Sequence, residues 1–362
     1  MLKIRTHLLQ SMVSKASRGA SNNKMLPITG MMGIKVSTQD ESSVLSLCTT
    51  DATNYLFISD NIDLSEELEV VVPEEQFSKL VSKITTDTIG IEVTEDKLVV
   101  TGNGTYNIEL PLDELGNPVK FPNPLANVSL TNSKTISLTS IKSILLHNKP
   151  SLAVDLDVPC YTGYYMDNSG VITTDIYTMC GNELRLFDKP VLLSRELVDL
   201  LDIFTSPEIE VMEMADKLVF ASSNCIVYGT KMSEIGDYQV EALKSLLEQD
   251  FPCMVKISRN RLINSLDRLN LFVGRYDKNK IKLDFTNDGL VISSKAVSGR
   301  ESIEYLDKVN FKEFDCFIDI ELLTTQLKAQ ECDSVELWFG VDNAIKMVDG
   351  DVTQVVALDE DE

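Results

Sequence analysis

One short signature occurs three times at a near-constant interval, and it limits the chain to folds built from copies of a single unit. LCTTD ends at Asp51, VITTD at Asp175 and VISSK at Lys295, steps of about 120 residues. A second signature keeps the same step: KLVV begins at Lys97, KLVF at Lys217 and the looser AIKM at Ala344. Three such units use up all 362 residues and leave nothing over for a separate catalytic domain. The expected domains are 1–126, 127–250 and 251–362.

Each repeat divides again into two similar halves, an extended segment and a helix followed by alternating strands. Leu9, Met12, Val13 and Ala16 lie on one face of a helix, and so do Phe77, Leu80, Val81 and Ile84. The same spacing recurs at Ile141, Ile144 and Leu145, and at Leu197, Leu200, Leu201 and Phe204. The third repeat shows it at Leu262, Leu266 and Leu269, then at Leu322, Leu323 and Leu327. Between the helices run strand-rich stretches, 89–110, 209–230 and 280–296, with Asn103–Gly104 marking a tight hairpin because both residues tolerate positive φ. Prolines punctuate the repeat boundaries at 121–124 and at Pro252. The expected architecture is α+β, six helix-plus-sheet half-units in three domains.

Little in this chain suggests catalysis. The two histidines, His7 and His147, fall in predicted helices and belong to no metal-ligand spacing. Thr49–Thr50–Asp51 and Thr173–Thr174–Asp175 place hydroxyls beside a carboxylate, but their recurrence favours a structural role at a strand end, where such side chains satisfy backbone donors. Seven cysteines without a Cys-x-x-Cys pair indicate neither a disulfide framework nor a zinc site. Cys48, Cys160, Cys180 and Cys225 read as core residues. The expected setting is cytoplasmic, with no signal peptide, no membrane span, no cofactor and no enzymatic activity.

The net charge is −23, which by itself argues against a polyanionic partner. Its distribution argues the other way. Residues 6–18 carry Lys15 and Arg18 with no acid, and residues 139–149 carry Lys142 and Lys149 with no acid. Residues 258–270 carry Arg259, Arg261 and Arg268 against Asp267 alone. Lys142 and Lys149 sit two helical turns apart, as do Arg261 and Arg268, so each pair shares a face. The second helix of each repeat has no such excess. A body that is acidic except on one repeated helix is suited to hold a polyanion there and repel it elsewhere.

Several segments, in this order, resemble the bacterial-type DNA polymerase sliding clamp, the β subunit of the replicative polymerase. They are HLLQSMVSK (7–15) with LPITG (26–30), YTGYYMDNSGVITTD (161–175), SRELVDLLDIF, GDYQVEALKSLL (236–247), and VKISRNRLINSLDRL (255–269) running on to VVAL (355–358). The resemblance covers all three repeats. It implies three DNA-clamp domains closing into a ring as a head-to-tail homodimer, with helices lining a hole around double-stranded DNA. Lys24 joins Lys15, Arg18, Lys142, Lys149, Arg259, Arg261 and Arg268 as candidate DNA contacts. The implied function is a processivity factor that tethers the replicative DNA polymerase and is opened by a clamp loader.

The resemblance also implies a partner-peptide pocket. It would be formed by Tyr161, Thr174, Ile176, Tyr177, Thr178 and Met179, with Gly236, Val240, Val355, Val356, Ala357 and Leu358. Two departures stand out. Ile176–Tyr177–Thr178 replaces a Gly-His-Arg-like run, and the chain ends on an acidic DEDE in place of a Met-Pro-Met/Ile-Arg-Leu terminus. The dimer interface would join the Glu75–Gln76–Lys79 helix to Leu271 and Phe272 of the next protomer. A repeat-built interaction scaffold with no role on DNA is the alternative, and an enzyme using carboxylates fits less well.

Overall fold

The computed structural model describes residues 2–39, 42–63, 66–125, 133–155, 157–273, 279–294, 298–341 and 343–359. One five-element order, strand–helix–strand–strand–strand, is repeated six times. The first copy is β1 (Leu2–Arg5), α1 (Thr6–Ala16), β2 (Met31–Gln39), β3 (Ser42–Thr50) and β4 (Tyr55–Ile62). The second is β5 (Leu68–Pro73), α2 (Glu74–Lys83), β6 (Thr88–Val93), β7 (Lys97–Thr101) and β8 (Thr105–Glu109). Next come β9 (Lys134–Ser137), α3 (Leu138–His147), β10 (Gly163–Asp167), β11 (Gly170–Thr174) and β12 (Thr178–Asn182).

The fourth copy is β13 (Val191–Ser194), α4 (Arg195–Leu201), β14 (Glu208–Glu213), β15 (Lys217–Ala221) and β16 (Cys225–Thr230). An added helix, α5 (Val240–Leu247), precedes the fifth copy. That copy is β17 (Cys253–Ser258), α6 (Arg259–Leu269), β18 (Lys280–Thr286), β19 (Gly289–Ser294) and β20 (Arg300–Ile303), followed by an extra strand, β21 (Asp307–Val309). The last is β22 (Phe314–Asp319), α7 (Ile320–Lys328), β23 (Ser334–Phe339), β24 (Ala344–Asp349) and β25 (Val352–Ala357).

The predicted helix faces are the ones that pack. Leu9, Met12, Val13 and Ala16 of α1 are buried, as are Leu262, Leu266 and Leu269 of α6. Charges at the ends suit the helix dipole: α2 opens on Glu74 and Glu75 and closes on Lys83. Asp319 caps α7 by accepting from the amides of Glu321 and Leu322. Strands alternate inside and outside as a two-residue period requires; in β18, Ile281, Leu283 and Phe285 point inward while their neighbours do not.

Within each repeat the two copies exchange their first strands. β1 pairs with β6 and β5 with β2; β9 pairs with β14 and β13 with β10; β17 pairs with β23 and β22 with β18. Final strands then join repeats, antiparallel in both cases: β4 with β16, and β12 with β25. These unions produce an eight-stranded sheet, β5-β2-β3-β4-β16-β15-β14-β9, and a nine-stranded one, β13-β10-β11-β12-β25-β24-β23-β17-β21. Two four-stranded sheets remain, β1-β6-β7-β8 and β20-β19-β18-β22.

Because final strands pair across repeat boundaries, packing divides the chain differently from the sequence repeat. One compact unit comprises 1–139 and 196–231, and the other 140–195 and 232–362. The middle repeat is thus shared, its second-half sheet going to the first unit and its first-half sheet to the second. In the second unit, α6, α7 and the sheets carrying β18 and β23 enclose one core, in which Phe285 and Phe339 stack with centroids 4.0 Å apart.

Candidate functional site

The resemblance-based pocket residues converge on the line where β12 meets β25 in the second unit. Thr178 lies opposite Val356 and Met179 opposite Val355. Successive strand residues face opposite ways, so the two valines separate. Val355 joins an apolar cluster with Met179, Tyr165, Ile172, Tyr238, Leu243 and Ala344, bordered by Tyr161, Val240 and Trp338. Val356 is buried in the neighbouring core with Phe339 and Ile345, and Leu358 packs on that core too. Val356 is therefore an interior support for the strand and does not line the cluster, while Leu358, just past the strand, is half-buried against the neighbouring core.

Three tyrosines form the centre of the cluster. Tyr238 stacks on Tyr165 with centroids 5.1 Å apart and receives Tyr161 edge-on at 5.2 Å. Its hydroxyl donates to the Ile172 carbonyl at 3.0 Å, so a nearly buried ring retains a partner for its polar end. Burial first, then the neighbouring Cys160, Tyr161 and Tyr165, push the Tyr238 phenol well above the ordinary value. Tyr165 donates to Asp167 at 3.3 Å, and Lys244 of α5 reaches the same carboxylate at 2.8 Å. Burial opposes ionisation of Asp167, but hydrogen bonds from Lys244 and Ser169 outweigh it and hold the carboxyl at about 2. Gly181 lets α5 lie close against β12, since a Cβ there would stand 2.7 Å from a Leu247 methyl.

The turn between β11 and β12 forms a lip over the end of β25. Asp175 Oδ1 accepts from the amides of Tyr177 and Thr178, and Thr174 Oγ1 donates to the Thr178 carbonyl. The Ala357 amide donates to the Tyr177 carbonyl at 2.8 Å, tying lip to strand. The paired threonines and aspartate act here as backbone partners, the structural role expected for them. Ile176 and Tyr177 are 65% and 64% exposed, and Ile176 sits at φ 81°. Gly236 is exposed on the 234–237 turn, where a Cβ would meet nothing within 4 Å. Sequence reasoning missed Tyr165, Tyr238, Ala344 and Trp338, and it missed α5 as a helix. The amphipathic run VEALKSLL was the available signal.

Of the candidate DNA contacts, Lys24, Lys142 and Arg261 are exposed and Lys15 and Lys149 half-buried. Lys24 stands on a loop beside Met25, which is 89% exposed. The other three arginines are engaged. Arg18 donates to the Asp199 carbonyl at 2.9 Å and pairs with Asp202 at 3.5 Å, at the end of α4. Arg259 donates to the Leu327 and Gln330 carbonyls, closing the C-terminal end of α7. Arg268 binds Glu301 of β20 through two parallel bonds of 2.7 and 2.5 Å. Helix periodicity places Arg261 and Arg268 on one face but cannot reveal an acid on a distant strand.

The residues expected at a subunit interface are at the surface. Leu271 is 83% and Phe272 52% exposed on the turn that follows α6. Phe272 lies near Gly299, just before β20, where a Cβ would stand 3.3 Å from its ring. Glu75, Gln76 and Lys79 are exposed on α2, with Glu75 and Lys79 paired at 2.5 Å. Tyr106 of β8, 39% exposed, was not anticipated. Among the described residues there is no cluster suited to a metal ion, and no helix is long and apolar enough to cross a membrane.

No family model matches the sequence, and no curated protein matches it. Solved structures do match in fold over nearly the whole chain. The DNA polymerase sliding clamp of Bacillus subtilis superposes with a TM-score of 0.85 at 16% identity, covering 99% of each chain. The β subunit from the DNA polymerase of Streptococcus pyogenes gives 0.85 at 18% identity, again with 99% of each chain covered. The DNA polymerase III β subunit of Thermotoga maritima gives 0.82 at 16% identity and the same coverage. The chain has the three-domain α+β fold of these clamps.

Proposed function

We propose that this protein is a sliding clamp: two copies close head to tail into a ring around double-stranded DNA and tether the replicative polymerase. One observation carries the reading. Of the six final strands, four pair across repeats, β4 with β16 and β12 with β25. The remaining two, β8 and β20, each have a neighbour on one side only among the described residues. An open strand edge is a template for another strand. Pairing β8 of one protomer with β20 of the next repeats between chains the junction made twice within a chain. Such a heterologous contact, made twice, closes a ring of two.

The exposed side chains beside these edges suit that junction. Phe272 lies beside Gly299 at the start of β20, with Leu271 exposed next to it in sequence, and Tyr106 projects from β8. Arg268 and Glu301 tie β20 to α6. Around the hole, Lys15, Lys24, Lys142, Lys149 and Arg261 would meet phosphates without reading bases, which permits sliding. The acidic remainder of the surface would discourage DNA from binding outside. A clamp loader would open the ring, and the cluster under α5 would take the polymerase's peptide. Tethering makes each rebinding intramolecular, so processivity rises without tight DNA affinity and without chemistry by the clamp itself. The proposed setting is the cytoplasm.

Light scattering at micromolar protein tests ring formation. A closed ring has twice the 40.3 kDa mass of one chain. A monomer at all concentrations would remove the basis for the reading.

A further inference from the structure

The charges that border the aromatic cluster are not balanced. Glu234 and Asp237 lie on the turn before Tyr238, close enough to the Cys160 thiol to help burial push it upward. Glu241, in the first turn of α5, acts in the same way on Tyr165. None of these three acids has an ion-pair partner among the described residues. The cations nearby are already committed. Lys244 is bound to Asp167 at 2.8 Å, and Lys346 donates to the Gln249 carbonyl at 2.7 Å while lying over the Phe251 ring. The open surface along α5 carries Glu241 and Glu248 as well as Lys244 and Leu246.

Resting on the reading of this cluster as the partner-peptide pocket, we infer that its occupant is a cationic peptide. Its apolar side chains seat beside Val240 and under the Ile176–Tyr177 lip, and its flanking lysines or arginines face Glu234, Asp237 and Glu241. The lip supplies apolar contact where a polar or basic turn would supply charge. An anionic peptide would find no uncommitted cation among the described residues at this margin and would meet three carboxylates. Like-charge juxtaposition excludes such partners, and complementary charge recruits the opposite kind.

Fluorescence anisotropy on the full-length protein tests this with three labelled peptides. One carries leucine and phenylalanine anchors flanked by lysines, the second the same anchors flanked by glutamates, and the third lysine flanks with serines at the anchors. The lysine-flanked apolar peptide should bind at least about tenfold tighter than the glutamate-flanked one, a gap that narrows as salt rises from about 50 to about 300 mM. Glu234→Gln with Asp237→Asn and Glu241→Gln, all at exposed or half-buried positions, should abolish the preference. Equal binding of the first two peptides, weakened alike by Tyr177→Ser and Val240→Glu, would overturn the charge assignment and leave the pocket standing. Binding of the first that neither Tyr177→Ser nor Val240→Glu weakens would overturn the pocket as well. Equal binding of the first and third would show a merely electrostatic attraction and also overturn the inference.

Discussion

Ala52 and Ile176 occupy the same position in two copies of one turn, at φ 86° and 81°. Each follows a Thr-Asp pair, and in each case the preceding threonine hydroxyl accepts from its amide at 3.0 Å. Asp51 and Asp175 then cap the next amides in matching fashion. The left-handed region is unfavourable for alanine and worse for a β-branched side chain. In the first copy the turn carries a small residue. In the second it carries an exposed isoleucine on the lip beside the aromatic cluster, a strained apolar group at the proposed peptide site.

Ile176→Gly should therefore stabilise the protein and weaken peptide binding together. Relief of roughly 1–2 kcal/mol of strain is offset by roughly 0.5–1 kcal/mol of added freedom in the unfolded glycine, leaving a gain of about 0–1.5 kcal/mol. Urea unfolding should show a higher midpoint, and anisotropy a weaker complex. A lower midpoint would mean that Ile176 makes contacts outweighing its strain.

Asp167 gives a pH dependence of known sign. Its folded value is depressed from 3.8 to about 2, so its stabilisation is complete above 3.8 and is lost as pH falls through about 2. Asp167→Asn should cost about 2 kcal/mol near neutral pH. The difference from wild type should shrink as pH drops from about 4 to about 2, where the native carboxyl also becomes neutral. Urea unfolding of both proteins across that range reads it directly. A difference constant with pH would assign the effect to packing.

The arginines should separate by role. Arg259→Gln removes the group that binds two carbonyls at the end of α7 and should lower stability by about 1–3 kcal/mol, with little change in DNA contact. Arg261→Gln, at an exposed site, should leave stability within about 0.5 kcal/mol and reduce the salt slope of DNA binding by about one phosphate contact per chain. Calorimetry and salt-dependent binding measure the two. Equal behaviour would contradict the division.

Leu271→Lys with Phe272→Lys should yield monomers by light scattering while leaving the circular dichroism melt nearly unchanged, since both residues are exposed in one chain. Burying the two side chains at a junction would contribute roughly 3–5 kcal/mol, enough to decide association. An unchanged dimer would place the interface elsewhere.

Much of this fold is readable in the chain because it is written several times. The helix face of Leu9, Met12, Val13 and Ala16 is a local pattern and is present in the fold. A hairpin does join β7 to β8, but through three residues, 102–104, and neither Asn103 nor Gly104 takes the positive φ that the pair suggested. Pairings between distant strands are not local. Nothing near Cys225 announces that it lies opposite Ile58, or that the middle repeat is shared between two packed units. At the pocket, a run of neighbours, Val355 through Leu358, was expected to line one surface. Strand alternation sends Val356 to the other side, while Tyr165 and Tyr238 arrive from other strands and turns. The exposed cations had the same limit: the bond from Arg268 to Glu301 depends on a contact that no helical period encodes.

Retention on DNA after loading tests the central claim most directly. The protein is loaded onto a nicked circular duplex, passed through a sizing column, and compared with an identical sample linearised by a restriction enzyme. A topological ring remains with the circle and runs off the linear ends, independently of moderate salt. Equal retention on both forms, or loss from both as salt rises, would show that the protein binds DNA by its surface and does not encircle it.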